Sequence, residues 1–351
     1  MSSRIPLLLV VMLFWWPAET APSHLQKRGD ATKLYQTTRG LQYSSILQHF
    51  KELEELNSSL VKLHYFYSAN GNKGVLVKLG RKNIQFAGKR PVVYISGATH
   101  ANEYLHIVDR LPEKFIIGSR DSTGISRFLN LGGIVYILPI FNPDGFLRPI
   151  QSESEMFLQR VNGNRIDLNR DFPLKKTGHS GLTQPETKFI TKFLQRDLER
   201  ENAQLVLTWD YHCCMNPGRL LYPWGYRSES KNKENPGVSL TRKQLRAHKE
   251  IASIVFDLFK FDAGTPWDEE KWPGYFLGGV TGASDDYFFE TYFQDNDLVK
   301  GRAFTFEGDE TPATVDLNLH IRLWDKIFLK LTGEHRERRP FLAKERGDSS
   351  L

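Results

Sequence analysis

Apolar residues fall along this chain in two patterns. Some are nearly continuous runs: "LVKLHYFYS", "KGVLVKLG", "RPVVYISG", "GGIVYILPI", "AQLVLTWDYH" and "RAFTFE". Runs apolar on both alternating faces are what strands covered on two sides require. Others recur every three or four residues, as at Leu41, Ile46, Leu47, Phe50, Leu53 and Leu56, which predicts an amphipathic helix from about residue 41. "PETKFITKFLQRDLER" predicts another helix, with Thr183 and Glu186 at the spacing of a capping box near its start. Strands alternating with helices predict a layered α/β sheet in one domain, about residues 33–335.

The N-terminus has a different pattern. Arg4 precedes twelve apolar residues ending at Trp16, followed by Pro17 and the small residues Ala18, Thr20 and Ala21. This is the layout of a secretory signal peptide over residues 1–21, and the run is short for a bilayer span. A short leader, 22–32, is expected next, and a charged, frayed tail over 336–351. No later apolar run reaches span length, so the protein is expected to be secreted or periplasmic, without stable membrane insertion.

The composition adds little more. The 351 residues are 40% hydrophobic and 25% charged, enough for a sizeable core, and the net charge is +6. No basic run is interleaved with aromatics in the manner of a nucleic-acid surface. The two cysteines, Cys213 and Cys214, are adjacent, which excludes a disulfide framework and leaves free thiols or a vicinal disulfide.

In open α/β sheets, sites gather beyond the carboxyl ends of strands. After "VVYISG" come His100 and Glu103; after "IVYILPI" comes "FNPDGF"; after "LVLTWD" comes His212; and "RAFTF" ends in Glu307. Between them lies "RVNGNRIDLNRDFP", dense in polar side chains. Catalytic zinc takes three His, Asp or Glu ligands and keeps one position open. His100 and Glu103, three apart, suit two of these places. His212 is the leading third, with His106, His179 and His320 as weaker alternatives.

Taken together, His-x-x-Glu, "NPDG" (Asn142 to Gly145), "DLNR" (Asp167 to Arg170), a histidine after a strand and "FTFE" resemble, in order, the zinc metallocarboxypeptidases of the pancreatic carboxypeptidase, or funnelin, family. The resemblance covers nearly all of the chain beyond the signal. It implies a central mixed, twisted β-sheet flanked by helices on both faces. It also implies one Zn2+ per chain, held by His100, Glu103 and His212, with Asp167 orienting His100. Glu307 would be the general base and acid that drives water onto the scissile carbonyl. Arg160 would stabilise the oxyanion, with Arg165 as the competing arginine. Asn169 and Arg170 would grip the terminal carboxylate of a peptide, a match for the two-pronged guanidinium.

Three departures from the family pattern qualify this. Asn102 stands where digestive relatives have an arginine. Gly278 falls at the place of the mobile active-site tyrosine, for which Tyr275 is the nearby substitute. About seven extra residues within "FFETYFQDNDLVKG" are expected to form a lip on the funnel. Asp285 falls where the family reads the last side chain, which implies a preference for C-terminal Lys or Arg. A loop aspartate facing water is the plainer alternative. The cysteine pair is expected to serve packing, beside a peptide bond that is often cis in the family. "NSS" at Asn57 reads as a helix-to-strand turn. With no long inhibitory prosegment after the signal, a protein secreted active and monomeric is expected. Its partners would be peptide or protein C-termini, or cell-wall peptides. The alternatives are a peptidoglycan stem-peptide carboxypeptidase, a deacylase of small N-acyl amino acids, and a catalytically silent secreted binding protein of the same fold.

Overall fold

The computed structural model describes residues 28–345 except 83, 85–87, 151–152, 216–217, 226–239, 260–280, 295–300 and 310. Among the described residues, seven strands form one sheet: β1 (Val61–Tyr67), β2 (Lys73–Leu79), β3 (Arg90–Gly97), β4 (Ile134–Leu138), β5 (Ala203–Cys213), β6 (Arg219–Leu221) and β7 (Arg302–Gly308). Their order is β1-β2-β4-β3-β5-β7-β6. The inner four strands, β4, β3, β5 and β7, run parallel, while β1, β2 and β6 are joined antiparallel. The sheet is therefore mixed. Its inner strands are buried almost throughout, as their unbroken apolar runs require. All six predicted strands form. The seventh, β6, is three residues long, too short to register as a periodicity.

The helices are α1 (Arg28–Leu56), α2 (Leu111–Gly118), α3 (Gly124–Asn130), α4 (Pro143–Leu147), α5 (Pro185–Arg200), α6 (Arg242–Phe259), α7 (Ser284–Tyr292), α8 (Pro312–Val315) and α9 (Leu317–Glu345). On one face of the sheet, Trp324 of α9 packs on Trp209 of β5 with ring centroids 5.5 Å apart, and Phe328 packs on Phe115 of α2 and Phe128 of α3. On the other, Phe288 of α7 packs on Tyr94 of β3, and Phe193 of α5 on Tyr136 of β4. Each fully buried large apolar side chain contributes about 1.5–3 kcal/mol.

Helix α1 begins at Arg28, and α9 continues to Glu345. One sequence expectation is corrected: Thr183 and Glu186 form no capping box, since Pro185 opens α5 and Gln184 is its N-cap. The Thr183 hydroxyl instead donates to Asp171 (2.6 Å), and Glu186 accepts from the Ala69 amide (3.1 Å). These tertiary partners outcompete the local pairing that the spacing offered.

Register positions the site. His212 lies opposite Glu307 across the β5–β7 pair, and Gly97 lies opposite Tyr211 across β3–β5. Three adjacent parallel strands thus end together, and the segments leaving them share one edge of the sheet.

Candidate active site

Beyond β3 the chain turns sharply. Ala98 takes φ 49°, a left-handed conformation that L residues rarely adopt, at the entry to the site. A short 3-10 turn over Ala101–Glu103 follows, closed by the Glu103 amide on the His100 carbonyl (3.0 Å). This turn folds Glu103 back beside His100, so that Oε1 lies 2.9 Å from His100 Nδ1. From the end of β5, His212 places its Nδ1 2.8 Å from Glu103 Oε2. The imidazoles meet edge to face, with centroids 4.8 Å apart. Among the described residues, His100, Glu103 and His212 are the group whose donor atoms converge for a metal ion, all within 4.8 Å of one another.

The chemistry of this donor set fits zinc. Two imidazole nitrogens and a carboxylate face one point, and the far nitrogen of each ring is held by another carboxylate. His100 Nε2 lies 2.9 Å from Asp167 Oδ1, and His212 Nε2 lies 3.0 Å from Asp210 Oδ2. Burial raises the Glu103 carboxyl, but hydrogen bonds from both histidines outweigh it and hold the group well below the usual carboxylate range. Asp167 is lowered in the same way, chiefly by His100 against the pull of burial. Burial disfavours a charged His212, yet Asp210 and Glu103 raise it well above an ordinary histidine.

The other sequence-named residues gather here. Arg160 donates Nη1 to Glu103 Oε1 and Nε to Asp167 Oδ2, each at 3.0 Å. Arg165 occupies an exposed turn, so Arg160 is the arginine at the site. Asn169 donates its amide to Asp167 Oδ1 (2.9 Å) and accepts from the Ser284 amide at Oδ1 (2.8 Å), which leaves Nδ2 to donate elsewhere. Arg170 donates Nη1 to the Asn169 carbonyl (2.7 Å). Glu307, at the end of β7, is raised by burial and by the charges of Glu103 and Asp210, against the lowering influence of His212 and His100. Asp285 is buried in the first turn of α7 and raised, mainly by burial, so it does not face water.

The "NPDG" motif is a scaffold. Asn142 caps α4 through Gly145 N (2.8 Å) and donates Nδ2 to the Gln159 and Arg160 carbonyls (3.4 and 3.3 Å). It therefore fixes the backbone that carries Arg160. Asp144 accepts from Ser68, the Asn70 and Gly163 amides and Asn72, tying the β1–β2 turn to the same loop. Gly145 is needed because a Cβ there would come within 2.3 Å of the Gln159 carbonyl oxygen.

The weaker histidines lie elsewhere. His179 Nε2 contacts the Arg170 carbonyl (2.8 Å), His320 is buried against Tyr211, and His106 packs on Tyr104. Cys213 and Cys214 are joined by a disulfide across a cis peptide, so neither thiol competes as a ligand. Asn57 ends α1 with Nδ2 on the Leu53 carbonyl, in the turn expected for it. Tyr275 and Gly278 lie outside the described residues. So does much of the expected lip, of which Phe288–Tyr292 belong to α7.

Sequence reading missed Asp210 and Ser284. Asp210 was discernible in principle: two residues before His212 on a strand, it must share that histidine's face. Ser284 gave no local signal.

Comparison with known proteins agrees with this geometry. The sequence signature described as zinc carboxypeptidase matches residues 46–316. A protein named inactive metallocarboxypeptidase ECM14 from Arthroderma gypseum is 21% identical over 343 residues, covering 82% of this chain and 57% of its own length. Carboxypeptidase E from Caenorhabditis elegans is 29% identical over 178 residues, covering 48% of this chain and 37% of its own. The chain thus spans little more than half the length of such relatives, or less. The crystal structure of carboxypeptidase A from Helicoverpa armigera superposes with a TM-score of 0.56 at 19% identity, covering 83% of this chain and 72% of that one. Thrombin-activatable fibrinolysis inhibitor superposes with a TM-score of 0.59 at 16% identity, covering 83% and 74%. The family's signature thus spans the converging triad and its sheet, and the chain belongs to the zinc carboxypeptidase family.

Proposed function

We propose that this protein is an active zinc-dependent metallocarboxypeptidase that hydrolyses the C-terminal peptide bond of peptides, with a preference for basic C-terminal residues. The observation that carries the proposal is the pairing of an intact His100–Glu103–His212 cluster with Glu307 on the adjoining strand end. Zinc held by the triad would supply Lewis acidity for the scissile carbonyl and its attacking water. Glu307 removes a proton from that water as oxygen bonds to the carbonyl carbon, then delivers it to the amine as the C–N bond breaks. Burial raises its affinity for protons, which suits a group that must both accept and donate one. Arg160 offers fixed positive charge to the developing oxyanion. Asn169 Nδ2 and the Arg170 guanidinium bind the substrate's terminal carboxylate. Asp285 reads a cationic side chain, whose charge would favour the ionised form of a carboxyl that burial pushes up to about 7. Tyr275 is proposed to close over the substrate.

Several relatives bear the word inactive in their names. Glu307 favours activity here, because without a base the triad would bind metal and carry no proton. The N-terminal layout supports export after loss of residues 1–21. No described helix is long and apolar enough to cross a membrane.

The test is release of the last residue from blocked dipeptides ending in Lys, Arg, Phe, Glu and diaminopimelate, with and without chelator. Chelator-sensitive release of Lys or Arg is expected. Release of diaminopimelate alone would move the assignment to cell-wall peptides. No release by zinc-loaded protein would leave the silent binding protein or the acyl-substrate reading.

A further inference from the structure

Each histidine of the cluster is backed by a carboxylate, but only Asp167 belongs to a recognised sequence motif. Asp210 is buried in β5 and collects three hydroxyl donors from three elements. Ser96 Oγ donates to Oδ1 (2.9 Å), Thr99 Oγ1 lies 3.0 and 3.1 Å from the two oxygens, and Ser284 Oγ donates to Oδ2 (2.9 Å). These donors leave the carboxylate one orientation, with Oδ2 3.0 Å from His212 Nε2. Ser284 opens α7, and its backbone amide donates to Asn169 Oδ1 (2.8 Å).

Followed onward, these bonds close into a ring. His100 bonds Asp167, which accepts from the Asn169 amide; Asn169 accepts from Ser284; and Ser284 donates to Asp210. Asp210 bonds His212, His212 bonds Glu103, and Glu103 returns to His100. The ring passes through all three donor residues and through the side chain assigned above to the substrate carboxylate.

We propose that Asp210, held by Ser284, is a positioning residue for the metal. It holds Nε2 of the His212 ring and so fixes the ring orientation that aims Nδ1 at the point shared with His100 and Glu103. This proposal rests on the zinc carboxypeptidase reading. Physically, a ligating imidazole is oriented by the partner of its other ring nitrogen, and a carboxylate held in one orientation holds the ring in one orientation too. An acceptor locked by three hydroxyls pays little further ordering entropy when the metal arrives. The ring also ties α7, which carries Asp285, to the metal cradle.

The test is zinc affinity of the full-length chain, measured by competition with a chromophoric chelator. For Asp210→Asn the zinc dissociation constant is expected to rise roughly 10–100-fold, the usual cost of losing a carboxylate behind a metal-bound histidine. For Ser284→Ala, which removes one donor to Asp210, a rise of roughly 2–10-fold is expected, the worth of a single hydrogen bond. Ser284→Thr, which restores the hydroxyl, should recover the wild-type value. If Asp210→Asn does not fold, the Ser284 pair decides. Zinc bound with equal affinity by wild type, Asp210→Asn and Ser284→Ala would overturn the role of Asp210 while leaving the metal reading intact. A wild-type chain that takes up no zinc would overturn both.

Discussion

Replacing Glu307 by Gln separates chemistry from architecture. The amide keeps the shape of the side chain at the end of β7 but cannot take a proton. Glu307 is not among the three residues whose donor atoms converge, so zinc affinity should remain within about threefold of wild type. Loss of a positioned general base costs about 10²–10⁴ in kcat, equivalent to about 2.7–5.4 kcal/mol of barrier. Stability should respond in the opposite sense. The Glu307 carboxyl is raised above its ordinary value, largely by burial, in the metal-free fold. A raised group contributes stability that is fully present below its unfolded pKa and lost as pH rises through its folded pKa. In chelator, the variant should therefore be more stable than wild type at pH 7, and the difference should vanish below the ordinary carboxylate range. Denaturant unfolding at pH 3.5 and 7, beside steady-state hydrolysis by the zinc-loaded form, reads both effects. A variant with kcat within tenfold of wild type would refute Glu307 as the base. Unchanged stability at both pH values would refute burial as the cause of its raised pKa.

Lys78→Met tests the ion network on the α5 side of the sheet, where Lys78 Nζ sits 2.9 Å from Asp197 Oδ2 and 2.6 Å from Glu201 Oε1. Burial raises Asp197, but hydrogen bonds from Tyr136 and Lys78 lower it overall, so its stabilisation is present at neutral pH and lost in acid. Because Asp197 keeps Arg200 and Glu201 keeps Arg90, the variant should lose about 1–3 kcal/mol in urea unfolding at pH 7 and show a flatter acid limb. Gly145→Ala forces a Cβ to within 2.3 Å of the Gln159 carbonyl oxygen. It should cost about 1–3 kcal/mol in stability and lower kcat by displacing Arg160, with zinc affinity retained. Asp285→Asn should abolish any advantage of Lys and Arg over Phe in kcat/KM while leaving chelator sensitivity intact. An unchanged ratio would remove Asp285 from specificity.

Much of the site was legible because its residues follow strands. A strand end is visible in sequence as an apolar run that stops, and the site residues stand at or just beyond it: His100 and Glu103 after β3, His212 at the end of β5 and Glu307 at the end of β7. Arg160 could not be separated from Arg165 by spacing. The choice was made by Asn142, which holds the Gln159–Arg160 backbone, and by the exposed turn that turns Arg165 outward. Thr183 and Glu186 were misread because the capping-box rule is local, whereas Asp171 and Ala69 reach them from other elements.

The sequence by itself located six of the strands and two of the helices, and placed His100 and Glu103 three apart beyond a strand, through periodicity and short-range spacing. The full ligand set and the catalytic roles followed from the resemblance of the ordered motifs to the family. Only the tertiary structure decided which groups complete the constellation. Asp210, Ser284 and Asn169 are separated by up to 115 positions, and their hydrogen bonds exist because parallel strands in register bring distant carboxyl ends to one edge. A hydrogen bond demands approach to about 3 Å with a fixed direction, and the packing of β5, α7 and the turn at Asn169 sets that for these residues.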